Sequence, residues 1–203
     1  MSLPNFPIIP ILVIEDAGWA KELGSCLVES GFPLIEVTLR TNQSWSAVEK
    51  MCEVPGIEVG VGSVVSVEDL KRAKGCGAKF AVSPGINRNL LQYAEGLGLP
   101  YLPGVATPSE IMTAIELGIN ILKWFPAETL GGLPALKAIS APFPNIRFVP
   151  TGGITSEKAS NYLKQDNVHS VGGSWMFPRA LMAKQDLVSL KNCFLETLKG
   201  LQA

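Results

Sequence analysis

Short apolar runs, rich in β-branched residues, recur at 8–14, 34–40, 58–64, 80–84, 101–105, 121–126, 146–151 and 168–175. Each is strand-sized, and amphipathic stretches of helical period separate them. Strands alternating with helices read as βα units feeding a parallel sheet. An open doubly wound sheet alternates too, but it usually holds roughly five or six strands. Eight units in a chain of 203 residues predict instead one α/β domain over 1–203, a single (β/α)8 TIM barrel. Helix punctuation agrees. SVED at 66–69 has the capping-box form, TPSE at 107–110 puts proline at the first helical position, and TSEK at 155–158 offers a third cap. Gly31 and Gly118 follow helical stretches, as C-terminal capping glycines do.

In such a barrel, one parity of each strand points inward and the other meets the helices, and function gathers at the C-terminal strand ends. The polar residues that break the apolar rule are therefore the candidates. In LIEVTLR (34–40), Ile35, Val37 and Leu39 form an apolar face, while Glu36, Thr38 and Arg40 share the opposite, inward parity. In ILKWFP (121–126), Lys123 shares its parity with Ile121 and Phe125, leaving Leu122 and Trp124 for the helices. Burial disfavours a charged ammonium, and a neutral amine is what attack on a carbonyl requires. The bland alternatives are a Glu36–Arg40 ion pair that serves only stability, and a Lys123 that snorkels outward or pairs with Glu36 without chemistry.

The runs at 146–151 and 168–175 end in Gly152-Gly153 and Gly172-Gly173. Glycines there expose backbone N–H groups beside a helix start, an arrangement suited to phosphate; tight turns alone are the alternative. Small residues around Ser63 leave room for a ligand, and Ser83-Pro84-Gly85 reads as a loop wall. Asp16 reads as a helix cap, His169 as structural or exposed, and Trp19, Trp45 and the methionines as packing.

Composition narrows the partners. Charged residues are 17% and hydrophobic ones 47%, which leaves apolar surface for a subunit interface. The 17 Lys and Arg are scattered and the formal net charge is −1, so nucleic acid is not an expected partner. Four cysteines lack CxxC spacing and read as free thiols, and the one histidine leaves no basis for zinc. The first basic residue is Lys21, so the run at 8–14 lacks the cationic flank of a secretory leader and is short for a membrane span. A cytoplasmic location, no membrane, no metal and no cofactor are expected.

The strings EVTLRT (36–41), SPGI (83–86), LKWFPAE (122–128), PTGGI (150–154) and GGSW (172–175), in this order and over nearly the whole chain, resemble those of the KDPG/KHG aldolase family. The resemblance implies a class I aldolase. It would cleave 2-keto-3-deoxy-6-phosphogluconate to pyruvate and the phosphorylated aldehyde glyceraldehyde 3-phosphate, in Entner–Doudoroff sugar-acid breakdown. It implies a Schiff base on Lys123 and proton transfer by Glu36. It assigns Arg40 and Ser63 to the pyruvate carboxylate, Pro84 and Phe125 to the walls beside the reacting carbons, and Thr151 to a polar substrate contact. Gly152, Gly153, Gly173 and Ser174 are assigned to the phosphate, and the assembly to a homotrimer. Three features depart from the family pattern: Ser63 replaces a usual threonine, Trp124 a usual phenylalanine, and a short extended segment stands before Ile8 where a helix is common. The alternatives are a 4-hydroxy-2-oxoglutarate aldolase, an aldolase for the galactonate epimer, a sugar-phosphate isomerase or epimerase, and a non-catalytic sugar-phosphate binding barrel.

Overall fold

The computed structural model describes residues 3–201. Strands and helices alternate as β1 (Ile8–Leu12), α1 (Ala20–Glu29), β2 (Leu34–Thr38), α2 (Ser44–Cys52), β3 (Glu58–Gly62), α3 (Val67–Gly75), β4 (Phe80–Val82) and α4 (Arg88–Gly96). They continue as β5 (Tyr101–Leu102), β6 (Gly104–Val105), α5 (Pro108–Glu116), β7 (Ile121–Trp124), α6 (Gly132–Ser140), β8 (Arg147–Pro150), α7 (Ser156–Leu163), β9 (Val171–Gly173), α8 (Arg179–Lys184) and α9 (Leu187–Lys199). Every strand pairing is parallel. The pairings make a curled six-stranded sheet in the order β5-β4-β3-β2-β1-β9 and a three-stranded sheet in the order β6-β7-β8.

Eight apolar runs thus give nine strand segments, because the run at 101–105 divides at Pro103. Proline has no N–H to give to a ladder. β5 pairs with β4 before it and β6 pairs with β7 after it, while the Pro103 carbonyl accepts from the Lys123 N–H at 2.9 Å. At the other edge, two isolated parallel bridges, Phe148 to Val168 and Thr151 to Gly172, link β8 to the β9 segment.

The period-two expectation holds where it matters for the site. Ile35, Val37, Leu122 and Trp124 lie in the large core cluster between strands and helices. Leu34, with Ile9, Phe80, Val82, Leu102 and Val149, forms a second, inner cluster against which Ile121 packs. Glu36 and Lys123 share the parity of Leu34 and Ile121, one step further along their strands, so their side chains follow directly on this inner apolar plug. Leu3 and Phe6, in the segment before Ile8, pack on the same cluster. Phe80, fully buried, fills the volume that a side chain on Gly60 would take; burying a ring of this size stabilises by roughly 1.5–3 kcal/mol.

Helix caps follow the sequence at two of three places. Ser66 and Thr107 form capping boxes with Asp69 and Glu110, and Pro108 opens α5. Thr155 occupies the N-cap of α7 with extended backbone, but its side chain makes no capping bond, a correction to the expectation. Gly31 and Gly118 take positive φ (96° and 74°), where an L side chain is disfavoured. Asp16 caps the turn Ala17–Trp19, accepting from Gly18 at 2.7 Å. Cys26 is buried, the other three cysteines are half-buried, and all are free thiols. Among the described residues, no helix is long and apolar enough to cross a membrane.

Candidate active site

Lys123 is 4% exposed and Glu36 2% exposed, each in the middle of a strand. The amine Nζ donates to Glu36 Oε1 at 3.4 Å. Lys123 therefore does not snorkel to the surface. Glu36 pairs with Lys123 and not with Arg40, which removes the alternative of a purely structural Glu36–Arg40 pair. The two groups stand together in a low-dielectric interior, where burying either one without a hydrogen-bonding partner would be costly. The aromatic face of Phe125 lies 5.3 Å from the amine, measured to the ring centre.

Arg40 follows β2 and Ser63 follows β3, and Arg40 Nε donates to Ser63 Oγ at 3.3 Å. The two residues assigned by resemblance to one carboxylate are thus brought together. Ser63 takes φ of 64°, in the left-handed region, where any side chain costs free energy. A β-branched residue tolerates this conformation less well than serine does.

The next wall is built by a close approach of two backbones. A Cβ on Gly104 would collide with the Pro84 carbonyl, and Gly104 is the register partner of Lys123. Pro84 is pinned from behind. Tyr101 Oη donates to Ser83 Oγ at 2.7 Å, and Ser83 Oγ donates to the Gly85 carbonyl at 2.6 Å. Burial pushes the Tyr101 phenol above its ordinary pKa, and the bond to Ser83 only partly opposes this.

On the far side of Lys123, a side chain on Gly152 would come within 3.2 Å of the Phe125 ring. Thr151 Oγ1 stands over Gly172, where a Cβ would strike it, and Gly173 is covered by the Trp175 ring. Gly152 and Gly153 have φ of 104° and 76°, so their loop curls in a way that glycine alone adopts readily. Ser174 is exposed and lines a cavity of about 760 Å³ shared with Glu15, Asp16 and Arg179. Of the eleven residues singled out from the sequence, Glu36 and Lys123 lie within strands and the other nine lie at or just after the C-terminal ends of strands. Contacts join Lys123 to Glu36 and Phe125, Arg40 to Ser63, and Gly152 to Phe125.

Three features escape a reading of parity and motif. A Cβ on Gly62 would fall on the Glu36 carboxylate, so Gly62 keeps the space in which that group sits. The Tyr101–Ser83 pin and the contacts of Glu128 described below join residues distant in sequence. His169, expected to be structural or exposed, is half-buried, and burial, with Arg147 nearby, holds its imidazole below the usual pKa.

A model of the KDPG and KHG aldolase family matches residues 2–193. A 2-dehydro-3-deoxy-phosphogluconate aldolase of Zymomonas mobilis is 44% identical over 172 residues, covering 85% of this chain and 83% of that protein. A KHG/KDPG aldolase of Escherichia coli is 36% identical, covering 98% and 93%. Among solved structures, a KDPG aldolase of Legionella pneumophila, with pyruvate captured as a covalent carbinolamine intermediate, superposes with a TM-score of 0.90. It is 37% identical and the match covers 95% of this chain and 94% of that one.

Proposed function

The chain belongs to the KDPG and KHG aldolase family, and on that premise we propose that it cleaves 2-keto-3-deoxy-6-phosphogluconate through a Schiff base on Lys123. The protein is a carbon–carbon lyase. The observation that carries the residue assignment is the buried amine 3.4 Å from a buried carboxylate, inside an otherwise apolar strand layer.

In this reading Lys123 Nζ attacks the C2 carbonyl of the keto acid. Glu36 takes and returns protons as the carbinolamine forms and loses water to give an iminium. Glu36 then removes the proton of the C4 hydroxyl. The C4 oxygen becomes the aldehyde carbonyl, the C3–C4 bond breaks, and its electron pair enters the iminium to leave an enamine. Glyceraldehyde 3-phosphate departs. Protonation at C3 restores an iminium, and water releases pyruvate and the free amine. Arg40, whose Nε is held by Ser63, presents a fork to the keto acid's carboxylate. Pro84 and Phe125 flank the reacting carbons and Thr151 touches the substrate. The Gly152-Gly153 loop, Gly173 and Ser174 offer N–H and hydroxyl donors to the phosphate.

The domain is a single closed (β/α)8 barrel in this proposal, supported by the bridges from β8 to the β9 segment and by β5 and β6 following one another across Pro103. A cytoplasmic homotrimer is proposed with it, supported by the low share of charge, 17%.

Incubation with pyruvate, borohydride reduction and peptide mapping is the direct test. A stable adduct on Lys123, absent in Lys123→Ala, is expected; a folded protein without an adduct would discard the Schiff-base reading. The strained serine gives a second prediction. Ser63→Gly is expected to gain up to about 1 kcal/mol in stability and to raise the KM, because it relaxes the backbone and loses the hydroxyl. Ser63→Ala should raise the KM without that gain. Equal melting temperatures for the two variants would remove the strain argument.

A further inference from the structure

Two successive N–H groups, those of Gly153 and Ile154, have no backbone or side-chain acceptor among the described residues, while Gly152 is held by the bridge between Thr151 and Gly172. The first two carbonyls of the same loop, those of Thr151 and Gly152, are occupied. Ala127 N donates to the Thr151 carbonyl at 2.8 Å, and Glu128 N donates to the Gly152 carbonyl at 3.0 Å. The loop is therefore turned with its Thr151 and Gly152 carbonyls towards residues 127 and 128 and with the Gly153 and Ile154 N–H groups free.

What fixes residue 128 is its own side chain. The Glu128 Cβ packs under Gly153, where an added Cβ would come within 2.9 Å. The carboxylate accepts from Tyr162 Oη at 2.8 Å and forms an ion pair with Lys158, and both partners stand on α7. Tyr162 is 1% exposed, and Glu128 keeps a side-chain exposure of 19%. One residue thus ties the loop after β7, the loop after β8 and the helix that continues the second loop.

We propose that Glu128 is a positioning residue for the phosphate end of the substrate: through Tyr162 and Lys158 it locks the Gly152-Gly153 loop with its N–H groups facing the ligand. It touches neither the reacting carbons nor the phosphate. Burial pushes its carboxyl up, but the bonds from Lys158 and Tyr162 outweigh this and hold it below its ordinary pKa, so the clamp stays charged near neutrality. The inference rests on the aldolase reading above.

A split between substrates tests it, because pyruvate carries no phosphate. Glu128→Ala is expected to raise the KM for the phosphorylated keto acid about tenfold, and Glu128→Gln and Tyr162→Phe about threefold. The kcat should stay within about twofold, and borohydride trapping of pyruvate on Lys123 should keep its wild-type yield. Glu128→Gln and Tyr162→Phe preserve shape, so they remain informative should the alanine variant not fold. An unchanged KM in these variants overturns the inference, and so does a fall in kcat and trapping alongside the KM, which would make Glu128 a general support of the fold. A wild-type protein that traps no pyruvate overturns the aldolase reading and this inference with it.

Discussion

Replacing Lys123 by methionine is expected to end both pyruvate release and borohydride trapping, and to lower stability by about 3–5 kcal/mol. The two effects have different origins. Activity is lost because methionine has no nucleophile, and no proton shuttle or anion site replaces a covalent electron sink. Stability is lost because Glu36, 2% exposed, is left as a buried carboxylate whose charged partner is gone. The double variant Lys123→Met/Glu36→Gln removes both charges and is expected to melt at or above the wild-type temperature while staying inactive. Buried ion pairs replaced by neutral groups of similar volume are often neutral or stabilising. Thermal or urea unfolding of the wild type, the single variant and the double variant gives the comparison. Turnover in the methionine variant would point to another nucleophile. A single variant as stable as the double would mean that Glu36 finds water or another partner once the amine is gone.

The elements that run by period were legible in the sequence. Leu34 and Ile121 face the inner cluster, Ile35, Val37, Leu122 and Trp124 face the helices, and Glu36 and Lys123 meet because parity aims them at the same interior. Alternation along a strand is a local property, so it survives folding unchanged. The division of the fifth run at Pro103 was not legible, because it depends on which strand lies on either side of the proline. The same holds for the site. Lys123, Glu36 and Arg40 announce themselves as polar residues in apolar runs. Tyr162 looks like an ordinary core residue, and Glu128 and Ser83 lie in the strings LKWFPAE and SPGI but show what they hold only once contacts across the chain are known. Ser63 shows its hydroxyl in the sequence but not its backbone strain, which only φ reveals.

Gly62→Ala is expected to lower kcat about 10²–10³-fold while changing the melting temperature by only a few degrees. The site has no room for the added carbon. An ideal Cβ at Gly62 lies on Glu36 Oε1 and 2.8 Å from both Cγ and Cδ of the same side chain. Backbone strain does not enter, since Gly62 is not among the glycines with positive φ. Alanine in place of glycine also loses less chain entropy on folding, a gain of roughly 0.5–1 kcal/mol that offsets part of the steric cost. The collision must then be resolved by Glu36, whose carboxylate moves off its place beside the Lys123 amine. A general acid/base displaced by about 1 Å loses much of its contribution, and here one group serves every proton transfer from carbinolamine to product. Gly60→Ala is the control, because its Cβ meets the Phe80 ring in the inner apolar cluster and not the Glu36 carboxylate. It should lower the melting temperature more than Gly62→Ala and lower kcat less. The reverse order in either quantity would show that Glu36 can re-seat, and that the empty space at Gly62 is a matter of packing and not of catalysis.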